Sequence, residues 1–236
     1  MSSKLVLAVV VSLSFPVSAL AEETGFFAGV DVFGGTASGS SDTRDGGASI
    51  AGGGVVNDVK FGKTIGIGGH IGYRFDPAIS AFVSYQHING DIGWDADFPL
   101  FGVSSKFDGT AISNAILGNV AYELPLSDST TVGATVGVGI TFNTLSDVVE
   151  KDEATGSFLA DVEDHTKVSP IAQAGISVQH RITPHAVLGL NASFAYTGGF
   201  ETGDTRKGNS GTTDINPYEI DDVWRASLGA SAQYEF

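Results

Sequence analysis

TVGATVGVGITFN, residues 131–143, alternates without exception. One parity carries Val132, Ala134, Val136, Val138, Ile140 and Phe142; the other carries Thr131, Gly133, Thr135, Gly137, Gly139, Thr141 and Asn143. A period of two places those sets on opposite faces of one strand, because successive side chains point to opposite sides of a pleated backbone. One face is a continuous apolar stripe. The other is small and polar, so the pattern predicts a strand with one greasy and one hydrated side.

The same alternation spreads outward from this stretch. In the C-terminal segment Trp224, Ala226, Leu228, Ala230, Ala232, Tyr234 and Phe236 alternate with Arg225, Ser227, Gly229, Ser231, Gln233 and Glu235. In Thr64 to Phe75, Ile65, Ile67, Gly69, Ile71, Tyr73 and Phe75 alternate with Thr64, Gly66, Gly68, His70, Gly72 and Arg74. Weaker copies occupy Gly25 to Thr36, Ile79 to Asn89, Val168 to Thr183 and Val187 to Thr197. Phe107 to Leu124 is the least regular, with Asn114 and Leu117 on the wrong faces of the pattern. Eight antiparallel strands follow from this count.

The connections alternate in length. Asp76-Pro77-Ala78, Pro125 to Ser129 and Thr183-Pro184-His185 are tight turns, each marked by Pro. Between them run Ser38 to Val59, Gly90 to Lys106, Ser146 to Lys167 and Glu201 to Asp222, read here as long loops. Loops of that length are uncommon in a compact soluble domain. Short turns at one end and long loops at the other are the rule in outer-membrane barrels, with the turns periplasmic and the loops extracellular. The expectation is therefore an all-β, eight-stranded up-and-down transmembrane barrel with both termini periplasmic.

Trp224 and Tyr234 lie ten residues apart on the apolar face of the last strand. At ~3.3 Å per residue and a ~40° tilt they are about 25 Å apart along the membrane normal, the height of the apolar band in such barrels. Phe26, Tyr73, Phe75, Tyr122 and Phe236 fit one aromatic girdle, and Tyr85, Phe142, Tyr196 and Trp224 the other. A soluble ligand-binding barrel would turn its apolar face inward instead. Here the remaining face offers Thr, Gly, Ser, Gln, Asn and Arg.

The N-terminus supports export. Lys4 precedes the apolar run Leu5 to Leu13, and Ala19-Leu20-Ala21 closes it, the layout of a signal peptide cleaved after Ala21. A transmembrane helix needs roughly twenty apolar residues. Residues 22–236 are then the barrel. With no cysteine, sheet closure rather than disulfides must supply stability. The formal charge of −15 repels phosphate backbones and argues against nucleic acid. Ser146 to Lys167 holds seven acids and two bases, and Glu201 to Asp222 six acids and two bases. These loops read as solvated and acidic, without an EF-hand spacing, and neither cofactor nor metal is expected.

Inward charges must be paired, because an isolated buried charge is costly. The inward set includes Asp31, His70, Arg74, Glu123, Arg181, Arg225 and Glu235; Asp31, Arg74, Arg181, Arg225 and Glu235 are expected to form one barrel-interior charge network. Arg74 and Arg181 lie near the same end as Glu235. The alternative use of such a lumen is a narrow passive channel. For an enzyme, a nucleophile and base must sit side by side. Ser84 and His87 have opposite parity, and His165 lies in an acidic stretch, so a lipid A-modifying barrel is the weaker alternative.

The chain resembles the small eight-stranded outer-membrane proteins of the opacity-protein and OmpX-like surface-antigen type. The most specific element is Ser227-Leu228-Gly229-Ala230-Ser231-Ala232-Gln233-Tyr234-Glu235-Phe236. It looks like the C-terminal signal read by the barrel-assembly machinery, with Tyr234 and Phe236 as its aromatics. The resemblance implies a Gram-negative outer membrane, contact with membrane lipids and lipopolysaccharide, a monomer, and surface-antigen, adhesin or envelope roles directed at a host or cell-surface ligand.

Overall fold

A computed structural model describes residues 24–41, 43, 55–98 and 101–236; the signal segment 1–21 lies outside them. The strands are β1 (Gly25–Ser40), β2 (Val55–Asp76), β3 (Ile79–Phe98), β4 (Val103–Ser127), β5 (Thr130–Asp152), β6 (Phe158–Val162), β7 (His165–Arg181), β8 (Ala186–Tyr196), β9 (Phe200–Glu201), β10 (Thr205–Gly208), β11 (Gly211–Asp214) and β12 (Glu219–Glu235). Eight of them close a ring in the order β1-β2-β3-β4-β5-β7-β8-β12, every pair antiparallel. Closure is made by β1 against β12, from Phe27↔Glu235 to Ser38↔Trp224. A closed ring leaves no edge, which a bilayer requires of a sheet.

The outer wall is apolar. Ile65, Val138, Leu190 and Leu228 are each about 70% exposed (71%, 68%, 68% and 71%), which is stable only against lipid. Aromatic pairs border this band: Phe26 meets Tyr73 at 5.0 Å and Tyr234 meets Phe236 at 5.2 Å on the turn side, and Trp224 meets Tyr196 and Phe194, both at 5.1 Å, on the other. The molecule is an eight-stranded transmembrane β-barrel. Inward Phe33 packs over Gly66, where an added Cβ would collide with its ring. Large rings opposite glycines fill a lumen this narrow.

The connections opposite the turns depart from the loops expected from sequence. Gly90 to Phe98 continues β3 and Val103 to Lys106 opens β4, paired in unbroken register from Gly90↔Ala111 to Phe98↔Val103. Likewise Ser146 to Asp152 extends β5, and β6, β10 and β11 add strands beside it. β4 has 25 residues; at ~3.3 Å each and a ~40° tilt it rises about 60 Å, more than twice the ~25 Å apolar band. The sheet therefore projects beyond the membrane as a head.

In the head the two faces exchange character. Val56, Ile92, Trp94, Phe98, Phe107, Leu145, Val148, Val162, Phe200, Tyr218, Ile220 and Val223 are buried in one internal cluster. Two devices achieve the inversion. On β3 the inward parity changes composition, from Ser84 and Gln86 to Ile88, Ile92 and Trp94. On β5 and β12 the backbone changes phase instead. Asp147 (φ 53°) and Asp222 (φ 52°) adopt left-handed backbone at register shifts. One extra residue rotates the following side chains to the other face. The even-numbered apolar series that faces outward as Val132 to Phe142 thus faces inward at Val148, and that of Trp224 to Phe236 faces inward at Ile220.

Candidate functional site

The lumen is built in three layers. At the turn end Arg74 donates to Glu235 (2.5 Å) and to Glu123 (3.1 Å), Arg181 also donates to Glu235, and Gln179 reaches Glu123 at 3.4 Å. Two guanidinium groups and two carboxylates balance, and Glu123 and Arg74 are buried. Asp31 joins this cluster through the His70 and Gln233 side chains. Its carboxylate meets His70 Nδ1 at 2.8 Å, and His70 connects through Gln233 to Glu235.

Arg225 stands apart. It lies ten residues from Glu235 on β12, about 33 Å along the strand, too far to join the turn-end acids. One Nη donates to Gln86 Oε1 at 2.9 Å, and Gln86 passes a bond to Gln173 Oε1 at 3.1 Å. Among the described residues no carboxylate pairs with Arg225. The single charge network expected from sequence is therefore two separate groups, because height along the strands governs which inward residues meet. Between them lies an internal cavity of about 130 Å³ with Asp31, His70, Ser84, Gln86, Gln173, Arg225 and Ser227 in its wall.

The third layer closes the far end. Ala115, Leu117 and Ile171 pack together, and the head cluster sits beyond them. Trp94 stacks on Phe107 at 5.2 Å with the rings 3° apart, and Tyr218 closes on Phe107 at 4.8 Å. Burial beside the Glu150 carboxylate pushes the Tyr218 phenol above its ordinary range. Glu150 is itself buried, bonded to Ser105 at 2.7 Å and paired with Arg206 at 3.0 Å, which ties β5 to β10.

Between β7 and β12 the wall changes construction. The β7–β8 ladder ends at Ala172↔Tyr196, and the chain then turns inward through Gly198 (φ 75°), where a Cβ would collide with Ser169. Asn143, fully buried, donates to the Thr197 and Gly199 carbonyls at 2.7 and 2.9 Å and accepts from Ser113 and Thr141. Lys167, in register with Asn143, spans the gap to Glu201 (3.4 Å), Asp221 (3.7 Å) and Glu219 (3.9 Å). Sequence reasoning missed the Glu150–Arg206 and Lys167 links, since their partners meet only after the head folds.

Among the described residues the one hydroxyl that meets a histidine is Thr130, whose Oγ1 lies 3.0 Å from His180 Nδ1 on the exposed turn-end surface; no serine does so. His87 Nδ1 meets Asn114 Oδ1 at 2.9 Å, the same oxygen that accepts from the Tyr85 hydroxyl at 2.7 Å. Ser84 is inside the barrel, bonded by Asn119 at 2.9 Å, and His165 is exposed at the start of β7. Among the described residues no cluster of three or more His, Asp or Glu suits a metal ion. The outward face of the head carries exposed Asp91, Asp97, Asp161, Glu163, Asp164, Asp204 and Asp214.

No protein-family model matches the chain, and no characterised protein matches it in sequence. Solved structures do match. The outer membrane protein OprG of Pseudomonas aeruginosa aligns at TM-score 0.52 and 16% identity, over 90% of this chain and 96% of that one. Neisserial surface protein A aligns at 0.49 and 16% identity, over 91% and 100%. The outer membrane protease OmpT of Escherichia coli aligns at 0.47 and 9% identity, over 92% and 99%. The fold is that of Gram-negative outer-membrane barrels.

Proposed function

We propose that this chain is a non-enzymatic, non-conducting outer-membrane barrel that presents its head as an interaction surface. The termini and short turns are periplasmic, and the head is extracellular. The observation that carries the reading is the contrast between the two ends of the lumen and the outside of the head. Paired charges close the turn end and an apolar cluster closes the other, while the head's outward face is polar and acidic. A barrel that conducts needs a hydrated path. This one invests about half its strand length in a rigid projection instead, and a rigid sheet holds its surface groups in fixed positions at little ordering cost on binding.

The acidic face fits a basic patch on a host or neighbouring cell. The test compares bacteria displaying the native chain with bacteria displaying Asp91→Asn/Asp95→Asn/Asp97→Asn, a triple change that leaves the inner face of β3 untouched. Adherence to host-cell monolayers should fall several-fold in the variant, and also in the native strain at 0.5 M salt, where screening is strong. Equal adherence of both strains sinks the reading. Steady unitary conductance of the native chain in planar bilayers would contradict the closed lumen, and altered lipid A acylation in cells carrying it would contradict the non-enzymatic assignment.

A further inference from the structure

Arg225 is 4% exposed, and among the described residues its Nε has no partner and its only side-chain acceptor is the neutral Gln86 Oε1. Two residues along the same face of β12, the buried Ser227 hydroxyl also lacks a partner. Both line the 130 Å³ cavity, which is several times the ~30 Å³ share of one water. The acids on the same wall are engaged lower down, Asp31 with His70 and Glu123 with Arg74 and Gln179. A guanidinium so little exposed, with no counter-charge in contact, is costly unless a charged partner enters. Waters alone would satisfy the donors but leave the charge.

From this geometry we infer that the cavity under the head is a binding site for one small monovalent inorganic anion of the chloride class, held by the Arg225 guanidinium with the Ser227 hydroxyl as second donor. The flanking positions suit such a guest. Arg225 is in register with Ala37 on β1 and Ala195 on β8, so the residues directly opposite it on both adjacent strands are small. The bound anion would join β12 to the Gln86–Gln173 bridge across the lumen and brace the floor beneath the apolar cluster. This proposal does not depend on what the head binds.

The test uses the full mature chain refolded in a non-ionic detergent. Its urea midpoint is measured in sodium chloride, sodium bromide and sodium gluconate at equal ionic strength. A bound halide stabilises the folded state by mass action, so the midpoint should rise saturably with chloride or bromide but not with gluconate. Arg225→Met should abolish that difference. Should this variant fail to fold, native crystals grown in bromide decide the matter through anomalous scattering. A bromide peak within contact distance of Arg225 supports the site. No peak there, a peak only elsewhere, or a halide effect that persists in Arg225→Met would overturn it.

Discussion

Glu235 accepts from two guanidinium groups, Arg74 and Arg181, and is the acid on which the turn-end layer of the lumen converges. Replacing it by Gln keeps the shape and removes the charge, leaving two cations to share Glu123. Removing one partner of a buried pair typically costs about 3–5 kcal/mol. Glu235→Gln should therefore lower the stability of detergent-refolded barrel by that order in urea titrations. A loss below ~1 kcal/mol would show that water compensates the arginines. Asn143 makes a complementary case without charge. Its amide supplies two donors to the inward-turned Thr197–Gly199 segment. Asn143→Ala orphans the buried Thr197 carbonyl and leaves the Gly199 carbonyl only the long 3.5 Å bond from Ser169, and about 2–3 kcal/mol should be lost. Asn143→Asp should do worse, because it faces those carbonyls with acceptors only. Equal midpoints for native and Asn143→Ala would remove the latch role.

At the scale of the strand, the two ways of inverting the wall were unequally visible in the sequence. Ile88, Ile92, Trp94, Ala96 and Phe98 share one parity, interrupted only by Gly90, so the extension of β3 was legible. The interleaved Asn89, Asp91, Gly93, Asp95 and Asp97 resemble loop composition and hide it. The bulges were not legible, since nothing in a lone Asp announces a left-handed residue rather than a solvated one. A single phase slip also makes a well-patterned segment look patternless. Leu117, which breaks the pattern of β4, is fully buried in register with Ser84 of the cavity wall; its misfit marks where the lumen turns apolar. Asp147 tests the phase argument. Asp147→Gly should be nearly neutral, whereas Asp147→Val should cost about 1–2 kcal/mol, since a branched Cβ opposes positive φ. Deleting Asp147 should be far worse for the head, because Val148 and Glu150 would turn outward. Trypsin should then cut at Lys151 and Arg206 while the barrel below keeps its heat-modifiable gel mobility. Resistance of the deletion variant at both sites would show that the bulge does not set the phase.

The whole molecule thus has two dielectric regimes stacked on one sheet, inside-out in the lipid and apolar-inside above it. Its two tryptophans report one regime each. Trp224 sits 42% exposed on the outer girdle, and Trp94 sits 1% exposed in the head cluster. In bilayers of brominated phospholipid, collisional quenching requires contact with the acyl chains. A Trp94→Phe variant, which retains Trp224, should lose most of its emission on bromination. A Trp224→Phe variant, which retains Trp94, should be unchanged by bromination. It should also resist aqueous iodide, because Phe107 and Tyr218 cover the indole. The pair of results locates the water boundary near the Tyr196–Trp224 contact. Strong quenching of Trp94 by brominated lipid would place the head in the membrane, and the apolar band would then have to be more than twice as tall as the aromatic girdles make it. Quenching of Trp94 by iodide alone would instead open the head to water, and the seal above the lumen would fail with it.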